Sequence, residues 1–425
     1  MLGGRLESEA CFTPTTKPPL TDGVSSRSRM TAFAIVVSTL WALAHWYVGR
    51  RLIGGSSLAT RPWGRRAGWA VLWIIAALPV IGLMMRRRFS ADSDLFAMVA
   101  FALMGFSSIL IVSWIAVDLL RASRHLTRRV RGSEAPTNDE TIDPARRRFF
   151  GDLGRVGILG GTGALSGIGY YHATRVPPVL EVEVPVTDLP AELDGYHIVQ
   201  ISDVHIGPTI HGDWLEAVVD TINGLDADMV AVTGDIVDGF VDQLSPHVAP
   251  LAKLRSRDGT YYVTGNHEYY WDGLAWSEHF AQLGLRVLTN AHALVERGPA
   301  KLLVGGVTDL RAGGRVAEHA SDPKAALAEA PPADFKLLLA HQPRSIYAAT
   351  EAGWDLQLSG HTHGGQFFPF SAMIGLFQPY GHGLHRHADT SWIYVSRGTG
   401  YWGPPNRLGS PSEITSIRLR RAPRA

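Results

Sequence analysis

Five short apolar runs in the second half of the chain each stop at a polar cluster, and this ordered series leaves few folds open. "YHIVQISDVHIG" (196–207) ends in Asp203 and His205. "ADMVAVTGDIVDG" (227–239) delivers Asp235, with Asp238 three residues on. "GTYYVTGNHEYY" (259–270) brings Asn266, His267 and Glu268, and "FKLLLAHQP" (335–343) brings His341. "WDLQLSGHTHGG" (354–365) supplies His361 and His363. Such runs read as buried strands, and helix-like segments such as "DWLEAVVDTING" (213–224) lie between them. Strands alternating with helices make a layered α/β domain, whose strand ends are where ligands collect.

The residue types narrow the chemistry. Carboxylates, imidazoles and an amide come together without sulfur, because the only cysteine is Cys11. That excludes an internal disulfide and a thiolate metal site. It suits two divalent ions such as Mn, Fe or Zn. His361 and His363, two apart in an extended segment, point to one face. They can lean toward two ions about 3.5–4 Å apart, the separation of two-metal hydrolases.

The first half has another character. Three apolar runs, 31–48, 67–85 and 95–120, are each long enough to cross a bilayer core and lack the polar faces of soluble helices. Arginines flank them unevenly: Arg50, Arg51, Arg61, Arg65 and Arg66 after the first run, and eight more between Arg121 and Arg148 after the third. Arg86-Arg87-Arg88 after the second run is offset by Asp92 and Asp94. By the positive-inside rule the first and third loops are cytoplasmic. "ARRRFFGDLGRVGILGGTGALSGIGYYHA" (145–173) resembles a twin-arginine export signal, with Arg146-Arg147 as the pair, although Gly151 replaces the usual lysine and the motif is internal. The expected organisation is an N-terminal tail (1–30), three transmembrane helices (31–120), a basic cytoplasmic loop (121–148), a fourth apolar segment with linker (149–177), and a catalytic domain (178–425). The catalytic domain is expected to be extracytoplasmic on a multi-pass membrane protein. With 40 Lys and Arg against 39 Asp and Glu, the balanced charge argues against a nucleic-acid partner.

"SDVH", "GDIVD", "GNHE", "AH" and "GHTH", in this order, resemble the calcineurin-like metallophosphoesterase superfamily. The longer forms "GNHEYYWDG", "SGHTHGGQ" and "SRGTGYWGPPNRLGSPSEIT" look like its membrane-associated or twin-arginine-exported bacterial branch. The resemblance implies a four-layer fold, two mixed β-sheets flanked by helices, here preceded by an all-α membrane region. It implies Asp203, His205 and His363 as ligands of one metal, Asn266, His341 and His361 as ligands of a second, and Asp235 as a bridge. His267 would be the proton donor or electrostatic partner of the substrate phosphate, Asp238 would stand behind the ligands, and Glu268 would support His267.

The expected activity is hydrolysis of a phosphomonoester or phosphodiester by metal-activated hydroxide, with lipid or envelope esters among the candidate substrates. The alternative is a metal-binding sensor or accessory module of a membrane unit. Trp271, Trp276, Phe367 and Phe368 are candidates for an apolar mouth, with core burial the simpler reading. Arg397, His382, His385 and His387 lie in later loops that could touch substrate, with an ordinary solvated surface position the simpler reading for each.

Overall fold

A computed structural model describes residues 23–85, 94–131, 143–389 and 391–423. Arg86-Arg87-Arg88, Asp92, Cys11 and much of the tail and basic loop lie outside those residues. Helices cover all four apolar segments: α1 (Gly23–Leu52), α2 (Pro62–Met85), α3 (Asp94–Val130) and α4 (Pro144–Thr174). α2 and α3 are long and apolar enough to cross a membrane. Val48, Leu72, Leu110 and Trp114 pack between the helices. Ile35, Leu40, Leu43, Ile74 and Leu119 face outward and exposed, a pattern a soluble bundle would bury.

The two ends of this bundle differ. At one, Tyr47 donates to Asp118 at 2.6 Å, Arg51 pairs with the same carboxylate at 2.6 Å, and Arg155 donates to the carbonyls of Arg51 and Gly54, both at 3.1 Å. At the other, Asp94 pairs with His211 of the following domain at 3.2 Å, and the Arg407 amide donates to the Gly169 carbonyl at 2.9 Å. The arginines that order the first end therefore lie away from the α/β domain.

That domain begins at β1 (Val179–Thr187) and holds two six-stranded sheets. The first sheet adds β2 (His197–Ile201), β3 (Met229–Val232), β4 (Thr260–Tyr262) and β5 (Arg286–Val287), in the order β1-β12-β2-β3-β4-β5, where β12 is Ile414–Ala422. β12 runs antiparallel to β2 and every other pairing there is parallel. The second takes β6 (Ala291–Arg297), β7 (Ala300–Gly306), β8 (Phe335–Leu339), β9 (Leu356–Ser359), β10 (Gly383–Arg386) and β11 (Trp392–Val395), in the order β10-β11-β9-β8-β7-β6. Its outermost pairs, β10 with β11 and β6 with β7, are antiparallel. Both sheets are mixed.

Alternation along the strands builds the layers. Ile198, Met229 and Ala231 turn inward to meet Leu302, Val304, Leu337 and Leu358 between the sheets. Val199, Ile201, Val230 and Val232 turn outward to Leu215, Val218, Val219 and Ile222 of α5 (Gly212–Asn223), to α6 (Val241–Val248), and to Trp276 and Phe280. Between α6 and the end of that layer, α7 (Asn266–Trp271) leads into α8 (Gly273–Gln282), which carries Trp276 and Phe280. On the far side, Leu303 and Leu338 meet Ala349 of α9 (Ile346–Ala352) and Trp354. The result is helix, sheet, sheet, helix: the four-layer α/β architecture expected. A last short helix, α10 (Phe370–Met373), follows the "GHTHGGQ" turn.

Candidate metal centre

The five polar clusters leave the ends of β2, β3, β4, β8 and β9, which lie side by side in the two sheets. Parallel strands aim their C-terminal ends alike, so residues from 203 to 363 converge. Asp203, His205 and His363 bring one ligand atom each to within 4.8 Å of one another, and so do Asp235, His341 and His361. His205 Nε2 and His363 Nε2 stand 3.0 Å apart, and His341 Nε2 lies 3.1 Å from Asp235 Oδ2.

The backbone is bent to achieve this. Of the ten non-glycine residues with positive φ among those described, five are candidate ligands: Asp203 (54°), His205 (55°), Asp235 (54°), His361 (71°) and His363 (51°). The left-handed region costs a non-glycine residue roughly 1–3 kcal/mol, so five such residues in one place mark a functional cluster. Close approach explains Gly360, where a Cβ would collide with the Asp203 carboxylate.

Orphaned atoms test whether cations fit. His341 Nδ1 donates to the Thr233 carbonyl at 2.8 Å, which leaves Nε2 as a buried lone pair facing a carboxylate. His361 Nδ1 and Asn266 Oδ1 are likewise buried without a hydrogen-bond partner. Asn266 Nδ2 donates to Tyr270 at 3.2 Å, so its oxygen is the free atom. Three unsatisfied donor-pair atoms around Asp235 are what a second cation would satisfy, and they are the residues the resemblance assigns to it. The set fits.

Electrostatics give the same picture. Burial alone would raise the Asp235 carboxyl, but His341, His267 and His205 hold it well below the usual carboxylate range. Burial would lower His341, yet Asp235 pushes it well above the usual imidazole range. The pair calls for a positive charge between its atoms, supplied by a proton or by a metal. Burial, then the neighbouring His341, pushes His361 down to about 3, which keeps it neutral as a ligand must be.

Asp238 stands behind this layer. It accepts from His205 Nδ1 at 3.0 Å and from His267 Nδ1 at 2.6 Å. The first bond leaves His205 Nε2 unprotonated and aimed at the Asp203–His363 group. The second faces His267 Nε2 toward Asp235 Oδ2, 3.9 Å away. Burial would lower His267, but Asp238 and then Asp235 push it up to about 9.

Glu268 acts on the backbone of these turns. Its fully buried carboxylate accepts from the backbone amides of Asp235 (3.1 Å), Ile236 (2.6 Å) and Gly265 (2.7 Å), and not from the His267 ring. It therefore ties the "GDIVD" loop to the "GNHE" turn. Burial, then Asp235, raises it to about 7. Trp276 is fully buried and Trp271 nearly so, whereas Phe367 lines the cleft and Phe368 is half-exposed. Arg397 pairs with Glu413 at 3.4 Å.

Arg407 was not singled out from the sequence. It is fully buried and donates to the carbonyls of His363 (3.0 Å) and Arg397 (2.7 Å), to the Gly400 carbonyl through Nε (3.1 Å), and to His363 Nδ1 (3.0 Å). A guanidinium has no acceptor, so His363 Nδ1 accepts and the proton of the neutral ring sits on Nε2, which donates to His205 Nε2 at 3.0 Å and has Asp203 Oδ1 3.4 Å away. Ligation through Nε2 requires that proton to leave. The only signal was an arginine inside "GPPNRLG", indistinguishable from a surface residue.

Residues 196–365 match the sequence profile of the calcineurin-like phosphoesterases. A transmembrane protein with metallophosphoesterase domain from Danio rerio is 38% identical over 268 residues, 61% of this chain and 61% of that protein. The Bos taurus protein of the same description is 39% identical over 272 residues, 62% of this chain and 61% of that protein. An uncharacterized metallophosphoesterase of Helicobacter pylori strain J99 is 37% identical over 283 residues, covering 66% of this chain and 74% of that one. The aligned part spans about three fifths of the length of the two animal relatives.

Proposed function

The chain belongs to the calcineurin-like phosphoesterase family, and from that premise we propose that it is a membrane-anchored phosphoesterase working through two divalent ions. The observation that carries this reading is the pair of ligand groups, Asp203–His205–His363 and Asp235–His341–His361, with Asn266 Oδ1 left free beside the second. Mn, Fe or Zn ions held there would polarise the phosphoryl oxygens and lower the pKa of water between them.

The chain's own groups do the rest. His267, protonated and held at Nδ1 by Asp238, offers an Nε2 proton to the phosphate or to the leaving alkoxide. Asp238 fixes two imidazoles at once, so the proton donor and the ligand His205 keep one spacing. Glu268 secures the two backbone turns that carry Asp235 and His267. Trp402 and Phe367 line the cleft and lower its effective dielectric, which strengthens each of these contacts.

Membrane anchoring is supported by the apolar helices α2 and α3 and by the transmembrane relatives. Clustering of Arg51, Arg121 and Arg155 at the end of the bundle remote from the domain supports an extracytoplasmic catalytic domain, with Arg146-Arg147 leading α4 outward. Its substrate is then a phosphate ester presented at the membrane or cell envelope. Hydrolysis of bis-p-nitrophenyl phosphate and p-nitrophenyl phosphate by the metal-loaded full chain tests the activity. Stoichiometric metal without turnover of any phosphate ester would instead favour a binding module.

A further inference from the structure

The cleft over the candidate ligands is not walled by the α/β domain alone. Asp235, Asn266, His267, His361 and His363 form one side of a cavity of about 410 Å³, and Trp41 of α1 with Met104 and Ser108 of α3 form part of the other. Phe367, Phe370 and Trp402 complete the apolar rim. No lysine or arginine lines it among the described residues. Met104 lies ten residues into α3, about 15 Å along the helix axis, within the apolar stretch long enough to cross a membrane.

A second observation lies beside the first. The segment after the "GHTHGGQ" turn carries apolar side chains outward: Phe370 is 51% exposed, Leu376 78% and Phe377 62%. Phe370 also lines the cleft, so this exposed apolar segment begins at the lip of the polar site. An apolar lip next to membrane-length helices is the arrangement of a segment that rests in lipid.

Resting on the phosphoesterase reading, we propose that the substrate is a phosphate ester carried by a membrane lipid, its phosphate among the imidazoles and its tail leaving past Phe370 between α1 and α3. The cleft is amphiphilic in the matching sense. Its imidazole wall is the anion-binding one and its remaining walls offer Trp, Met and Phe, while the polar side chains among them, Ser108, Thr362 and Gln366, already bond to backbone groups of the chain. A lipid need not leave the bilayer to reach the site, because one wall of the cleft is α3, a helix long and apolar enough to cross a membrane. Met104 and Phe370 then set chain-length selectivity.

Matched pairs test this with the metal-loaded full chain in phosphatidylcholine vesicles: hexadecyl phosphate against butyl phosphate, and hexadecyl against methyl p-nitrophenyl phosphate. The expected result is kcat/KM at least a hundredfold higher for the hexadecyl member of whichever pair is turned over, with that ratio falling at least tenfold in Met104→Glu. A ratio within threefold of unity, or one that Met104→Glu leaves unchanged, overturns the lipid assignment while phosphoester hydrolysis stands. Turnover of neither pair overturns the phosphoesterase reading and this inference with it. Should Met104→Glu fail to fold, a hexadecylphosphonate carrying a diazirine in its tail decides on the unaltered chain. Photolabelling of α1 and α3 peptides around Trp41 and Met104 supports the proposal, and labelling confined to other segments refutes it.

Discussion

The Asp238 carboxylate takes the Nδ1 hydrogen bond of His267 at 2.6 Å, and its other oxygen holds His205 at 3.0 Å. One side chain thus orients both the candidate proton donor and a candidate ligand. Asp238→Asn keeps the shape but weakens both bonds. A loss of about 10–100-fold in kcat or in metal affinity is expected, the usual cost of disturbing a ligand's partner. Steady-state kinetics with metal titration would measure it, and unchanged values would remove Asp238 from the account.

The same contact sets how stability depends on pH in chelator-treated protein. His267 is raised to about 9, against about 6.5 for a free imidazole. A raised value means that the stabilisation is complete below pH 6.5 and is lost as pH climbs through 9, with a ceiling of about 3 kcal/mol. Thermal melts from pH 6 to 10 should show Tm falling across that window. His267→Gln should flatten the slope, and an unaltered profile in that variant would assign the dependence elsewhere.

Arg407 supplies a stability test away from the ions. Its guanidinium serves three carbonyls and an imidazole from a fully buried position. Arg407→Met strands those acceptors and should cost about 3 kcal/mol in denaturant unfolding. Arg407→Lys keeps the charge but cannot reproduce the fork, so an intermediate loss is expected. Equal stability in all three proteins would show that the carbonyls find other partners.

How much of this could be read in advance depended on whether the information was local. Asp203, His205, Asp235, Asn266, His341, His361 and His363 each follow an apolar strand directly, so the strand carries its ligand to the sheet end and spacing reveals it. The left-handed backbone at five of them had no sequence signature beyond neighbouring glycines. The resemblance gives Glu268 a part in supporting His267 without saying how, and only the fold shows a helix turn aiming it at the amides of residues 235, 236 and 265. Trp41 and Met104 lie inside apolar runs and carry no separate signal in the sequence. Their place over the metal cleft follows from how the bundle packs on the domain, through contacts such as Gly105 against Pro404, which no single segment encodes.

Two cations sharing Asp235 remain the central claim, and counting metal per chain tests it most directly. Elemental analysis of the purified full chain, with His205→Ala and His341→Ala beside it, should give close to two divalent ions for the unaltered protein. Each variant should lose about one of them, with turnover abolished in both. One ion or none in an unaltered protein that still hydrolyses phosphate esters, or two ions retained in His341→Ala, would contradict the dinuclear centre.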